Sequence, residues 1–96
     1  MYGLIGSFSA HPGKRDELIA LMTASVGGMP GCKSYVVGKD RTDPDKLWVT
    51  EVWDSPESHK ASLQIPAVAQ TIKQAMPLIA GFGEHIEFEP VGGHGL

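Results

Sequence analysis

Residues 47–53, Leu47-Trp48-Val49-Thr50-Glu51-Val52-Trp53, carry the strongest strand signal in the chain. They are rich in β-branched and aromatic side chains, and Asp54-Ser55-Pro56 ends them with a turn and a helix start. Side chains two apart share a face of a strand. Leu47, Val49, Glu51 and Trp53 therefore point one way, and Trp48, Thr50 and Val52 the other. Both faces carry large apolar groups, so both are expected to be covered, and which face meets which neighbour is open at this point. A carboxylate beside an indole on a covered face is either a buried hydrogen-bonding device or part of a pocket.

Upstream, Asp40–Lys46 is polar, contains Pro44 and reads as the loop of a hairpin. It joins the central strand to another, Cys32–Lys39, with Tyr35 and Val37 on one face and Ser34 and Val36 on the other. Before that lies a helix from about Lys14, with Leu18, Leu21, Met22 and Val26 in one stripe and a solvated first turn of Lys14, Arg15, Asp16 and Glu17. Gly27, Gly28, Pro30 and Gly31 end it. The chain opens on a strand, Tyr2–Ala10, in which Tyr2, Leu4, Phe8 and Ala10 share an apolar face. Gly3 and Gly6 mark a close backbone approach or a bulge in it, and His11-Pro12-Gly13 is a turn.

Downstream, Ser55–Gln64 starts as a helix with Pro56 in its first turn and Glu57 behind it. Pro66 restarts it, since proline has no amide proton and restricts the residue before it. Val68, Ile72, Ala75, Met76 and Ile79 form the next stripe, which Pro77 cuts short. Ala80-Gly81 reads as a turn and Gly83–Pro90 as a last strand. Strict alternation puts Phe82, Glu84, Ile86 and Phe88 on one face of it and His85, Glu87 and Glu89 on the other. Residues 1–90 make one domain and residues 91–96 a glycine-rich tail.

The order β-α-β-β-α-β predicts an α+β, ferredoxin-like fold, an antiparallel four-stranded sheet with its helices on one face. The other face retains apolar residues, and a second copy packed sheet against sheet would cover them, which predicts an isologous homodimer. A chain of 96 residues has a modest core, which fits shared burial. The net charge of −3, with scattered lysines and arginines, argues against a nucleic-acid partner. No apolar run approaches the roughly 20 residues that span a bilayer. A single cysteine, Cys32, excludes an intrachain disulfide and reads as a small buried hydrophobe. With no signal-peptide pattern, a cytoplasmic protein is expected.

No metal is expected, because His11, His59, His85 and His94 are isolated from one another and from any paired-cysteine motif. Phosphate-cradling glycine loops and nucleophile-elbow motifs are absent too. His59, about one turn into its helix, is the titratable group best suited to acid–base work near neutrality. The bland alternative is an exposed helix histidine. His85, beside Glu87 and Glu89, reads as part of a solvated strand face. Tyr35, Phe8, Phe82 and Phe88 are further candidates for walls around Trp53 and Glu51.

The chain resembles the antibiotic biosynthesis monooxygenase family, small dimeric α/β-barrel proteins that include quinol monooxygenases. The resemblance lies in His11-Pro12-Gly13-Lys14 after the first strand, in Pro30-Gly31-Cys32 followed by Tyr35, and in Thr50-Glu51-Val52-Trp53-Asp54-Ser55 leading into a helix. It implies a sheet-packed dimer with a pocket under the helices. It further implies oxygenation of a quinol-like or phenolic small molecule by dioxygen with no bound cofactor, the substrate supplying the electrons. In that frame His59 and Glu51 are the catalytic candidates, and Trp53, Tyr35 and Ser62 line the substrate site. Many members carry a histidine where this chain has Ser62, and another after the helix-breaking proline, where it has Ala67. The haem-degrading branch uses an asparagine on the first strand. This chain contains no asparagine and has Ser7 in that region, so haem is not the implied substrate. A non-catalytic binding or sensing module on the same scaffold is the alternative, and an isomerase-like or degradative reaction on a phosphorylated sugar is a third, disfavoured by the acidic balance.

Overall fold

The computed structural model describes residues 1–24 and 29–95. Its elements are β1 (Tyr2–Ala10), α1 (Arg15–Thr23), β2 (Cys32–Lys39), β3 (Lys46–Trp53), α2 (Pro56–Ser62), α3 (Pro66–Ala75), a 3₁₀ turn at Met76–Leu78, and β4 (Ile79–Phe88). The expected helix positions Val26, Gly27 and Gly28 lie outside the described residues. Strand order is β2-β3-β1-β4, antiparallel throughout, which is the ferredoxin-like arrangement. Within one chain the sheet stays open, with β2 and β4 at its edges. A closed barrel would need a second chain.

Packing settles the orientation of β3, since Val52 of the other parity is buried as well. Leu47, Val49 and Trp53 are buried, and Leu18 of α1, Ala10 of β1 and Ala75 of α3 close over Leu47 as one cluster. The Glu51–Trp53 parity thus faces the helices. On the opposite, outer face Val36, Ile86 and Phe88 are exposed. Each buried leucine removes an apolar side chain from water, worth about 1.5–3 kcal/mol. Pro56 and Pro66 each occupy the first turn of a helix, where a missing amide proton costs nothing. The Ser55 hydroxyl caps α2 by accepting from the Ser58 amide at 3.2 Å.

Three expectations are corrected. β4 begins at Ile79, so Ala80-Gly81 is strand and not turn. Its faces do not alternate throughout. Gly6 pairs with His85 but Phe8 pairs with Phe82, so β4 fits one extra residue opposite Ser7. This bulge inverts the parity. Phe82 joins Phe8 on the helix side, ring centroids 5.5 Å apart, while Phe88 lies on the outer face over Gly3. Ser7, buried on the outer face, holds the bulge: its hydroxyl accepts from the Glu84 amide at 2.8 Å and donates to the Glu84 carboxylate. Lastly, Arg15 is not simply solvated. Its Nη1 donates to the carbonyls of Asp43 at 2.9 Å, Lys46 at 3.3 Å and Asp40 at 3.4 Å, tying α1 to the β2–β3 hairpin.

Candidate active site

A cavity of about 230 Å³ lies between the helix-side face of the sheet and α1, α2 and α3. All five residues singled out in the sequence line it: Tyr35, Glu51, Trp53, His59 and Ser62. Phe88, proposed as a wall, does not, because the bulge turns it outward. Phe82 and Phe8 do.

The polar end is assembled by strand register. Tyr35 on β2 is the direct cross-strand partner of Glu51 on β3, and Trp53 follows Glu51 on the same face. The Trp53 indole Nε1 donates to Glu51 Oε1 at 3.1 Å. Trp53 itself is fully buried, so its indole is fixed by packing and its N–H is satisfied by the carboxylate. Oε2 of Glu51 has no protein hydrogen-bond partner among the described residues.

Helix α2 supplies the facing groups. His59, Ser62 and Leu63 fall three and four apart and so share one helix face. The His59 ring stands edge-on to Trp53, centroids 5.4 Å apart, and tilted against Tyr2 at 5.9 Å. Its Nε2 is 3.9 Å from Glu51 Oε1. Ser62 is buried, and its hydroxyl donates back to the His59 carbonyl at 2.6 Å. That bond uses the serine proton within the helix. His59 stands one turn before Ser62 on the same helix face.

Tyr35 is pushed up to about 12, first by burial and then by the negative charge of Glu51 and of Cys32. It stays a neutral phenol across the physiological range, with a hydroxyl that makes no hydrogen bond among the described residues. Sequence reading did not name Leu63, Thr71 or Met29, which also line the cavity, and placed Met22 only on the core-facing stripe of α1. Thr71 was findable, since it lies three residues after Val68 on the stripe of α3.

Elsewhere, His85 is exposed, with Nε2 4.0 Å from Glu87 Oε1, as a solvated strand face would be. Cys32 is half-buried and Sγ contacts the Ser34 carbonyl at 3.6 Å. Among the described residues no group of three or more histidine, cysteine, aspartate or glutamate side chains is placed to hold a metal ion. Nor is any helix among them long and apolar enough to cross a membrane.

Comparison with known proteins bears on the fold and the family. The family model for antibiotic biosynthesis monooxygenase matches residues 1–74. A protein of that type from Chloroflexus aurantiacus is 60% identical and superposes with a TM-score of 0.95, over 98% of this chain and 96% of its own. Two more distant structures share the fold. One from Deinococcus radiodurans is 23% identical, TM-score 0.79, covering 100% of this chain and 98% of its own. One from Nitrosomonas europaea is 14% identical, TM-score 0.82, covering 96% and 100%. No curated protein matches. With most of its length matched by the family model and a near-complete superposition at high identity, the chain belongs to the antibiotic biosynthesis monooxygenase family.

Proposed function

We propose that the protein is a cofactor-independent monooxygenase acting on a quinol-like or phenolic small molecule. The observation that carries this reading is the convergence of His59 and Glu51, 3.9 Å apart, on the Trp53 end of an otherwise apolar cavity of about 230 Å³. An engineered apolar cavity of about 150 Å³ accommodates benzene. A substituted single ring or a fused bicycle therefore suits this space.

The chemistry follows from the residues. The substrate ring packs against Trp53 and the apolar wall, with a hydroxyl directed at the polar end. His59 takes the phenolic proton as general base, and the Glu51 carboxylate stabilises the imidazolium that forms. The phenolate is electron-rich enough to reduce dioxygen. For a quinol the balance is quinol plus dioxygen giving hydroxyquinone plus water. One oxygen atom enters a ring C–H bond and the other leaves as water, and all four electrons come from the substrate. The apolar wall limits competing access of water to the reactive anion.

A homodimer belongs to the same reading. The outer sheet face exposes Val36, Ile86 and Phe88, and an isologous contact would cover them at about 25 cal/mol per Å². A monomer mass by light scattering at micromolar concentration overturns that part.

The test of function is incubation of a hydroquinone panel with and without oxygen. Oxygen-dependent product with label from ¹⁸O₂ in the ring supports the reading, and product that forms equally without oxygen overturns it. The alternative, a binding or sensing module, draws on Ser62 and Ala67 standing where many relatives have histidines. It predicts ligand binding with no turnover in the parent protein. The monooxygenase predicts turnover that His59→Ala abolishes while binding persists.

A further inference from the structure

The polar end of the cavity offers one open donor and one open acceptor side by side. The donor is the Tyr35 hydroxyl, which has no hydrogen-bond partner among the described residues. The acceptor is Glu51 Oε2, left over because Oε1 is held by the Trp53 indole at 3.1 Å. The two residues are directly paired across β2 and β3, so their Cβ atoms stand roughly 5 Å apart on the same face. Among the described residues neither lysine nor arginine lines the cavity. The residues outside the described set, Ser25, Val26, Gly27, Gly28 and Leu96, add no cation either.

A group that satisfies both atoms must accept from one and donate to the other. An aryl hydroxyl does so. A ketone or quinone carbonyl accepts only. It takes the Tyr35 proton but turns its remaining lone pair toward a carboxylate, which has no proton to give. A carboxylate or phosphate on the ligand meets the Glu51 charge with no fixed cation to offset it.

We propose that Tyr35 and Glu51 form a redox-state filter, which admits a neutral hydroxyarene and rejects the same ring once that hydroxyl has become a carbonyl. The inference rests on the hydroxyarene reading above and deepens it. Glu51 then has a second task besides supporting His59. It makes the site bind the reduced substrate and release the oxidised ring, so that product does not accumulate in the cavity. Tyr35 remains protonated beside the carboxylate and serves as the donor that both ring states can use.

The test needs no oxygen and no turnover. Affinities of the wild-type protein for 1-naphthol and for 1-tetralone, a redox-inert pair of fused bicycles differing in hydroxyl against carbonyl, are measured by calorimetry at pH 7. The filter predicts that naphthol binds at least about tenfold tighter, the effect of one hydrogen bond to a charged group. Glu51→Gln, whose amide can donate to a carbonyl, brings the ratio to within about threefold. Tyr35→Phe weakens both ligands and leaves the ratio near its wild-type value. Equal wild-type affinities overturn the proposal, as does a ratio that survives Glu51→Gln or binding of neither ligand. Because the wild-type ratio alone is decisive, an unfolded variant does not rescue it. Equal affinities alongside oxygen-dependent quinol turnover sink the filter and spare the monooxygenase. A tenfold preference without turnover does the reverse.

Discussion

Trp53 Nε1 donates to Glu51 Oε1 at 3.1 Å across one intervening residue of a single strand, so the indole aims the carboxylate that stands next to it. The pair is local in sequence, but its rigidity is tertiary, since Trp53 is fully buried under the helices.

Trp53→Phe removes that donor and some packed volume while keeping an aromatic wall. We expect a loss of about 1–3 kcal/mol in stability, the range for breaking a hydrogen bond to a buried or half-buried charged group. Quinol turnover should fall further than binding does, because the carboxylate that faces His59 is no longer aimed. Denaturant unfolding and steady-state kinetics on the same preparation separate the two effects. Unchanged turnover would show that the orientation of Glu51 is immaterial.

Gly31 sits at φ +82°, and an added Cβ would lie 2.6 Å from Asp54 Oδ1 and 2.7 Å from Ser58. Its carbonyl also accepts from the Asp54 amide at 2.8 Å. Gly31→Ala should cost about 1–3 kcal/mol in left-handed strain and collision at the start of α2. The damage is directional, because α2 carries His59. Thermal melting should drop by several degrees, and ligand affinity should drop more than for an equally destabilising substitution in α1.

The raised pKa of Tyr35 sets the alkaline limb. Its ordinary value is 10.0 and its folded value about 12, so the folded protein holds the proton more tightly than the unfolded chain does. The stabilisation is complete below pH 10 and is lost as pH rises through about 12. The full effect is at most about 2–3 kcal/mol. Unfolding free energy measured from pH 9 to pH 12 should fall more steeply in the wild type than in Tyr35→Phe. Parallel curves would contradict this.

The acid limb has its own marker at the head of the β2–β3 hairpin. Asp40 accepts from the Asp43 amide at 2.8 Å, the Trp48 indole at 2.8 Å and the Thr42 amide at 3.1 Å. These bonds, the Asp43 amide foremost, hold its carboxyl down at about 2. A depressed value stabilises the fold above the ordinary range, and that contribution is lost as pH falls through about 2. Asp40→Ala should flatten the stability profile between pH 4 and pH 2 and lower stability at pH 7, read by fluorescence of Trp48.

Element order, strand pairing and the shared face of Glu51 and Trp53 were legible because they follow from periods of 2 and 3.6 and from proline positions. The orientation of that face was not. Leu47 and Val49 are matched in apolarity by Trp48 and Val52, and only packing of Leu18 and Ala75 against Leu47 decides between them. Placement of His59 beside Ser62 was legible from helix spacing. Its approach to Glu51 was not, because that distance depends on how the Ser55 cap docks α2 on the sheet. The run from Ala80 misled because its glycines suggest a turn, while in the sheet they permit a strand to pass an irregularity. Arg15 misled because a charged first turn is usually solvated, and its hairpin partners are remote in sequence.

The bulge opposite Ser7 makes β4 a strand of two halves that can vary separately. Residues before it, such as Phe82, shape the cavity, and residues after it, such as Ile86 and Phe88, shape the outer surface. Without the extra residue one alternation would run through both halves as a single pattern. A deletion at Gly83 would restore that single pattern, with Phe82 and His85 two apart on the helix-side face. The irregularity thus decouples the side chains that wall the cavity from those that make up the outer surface.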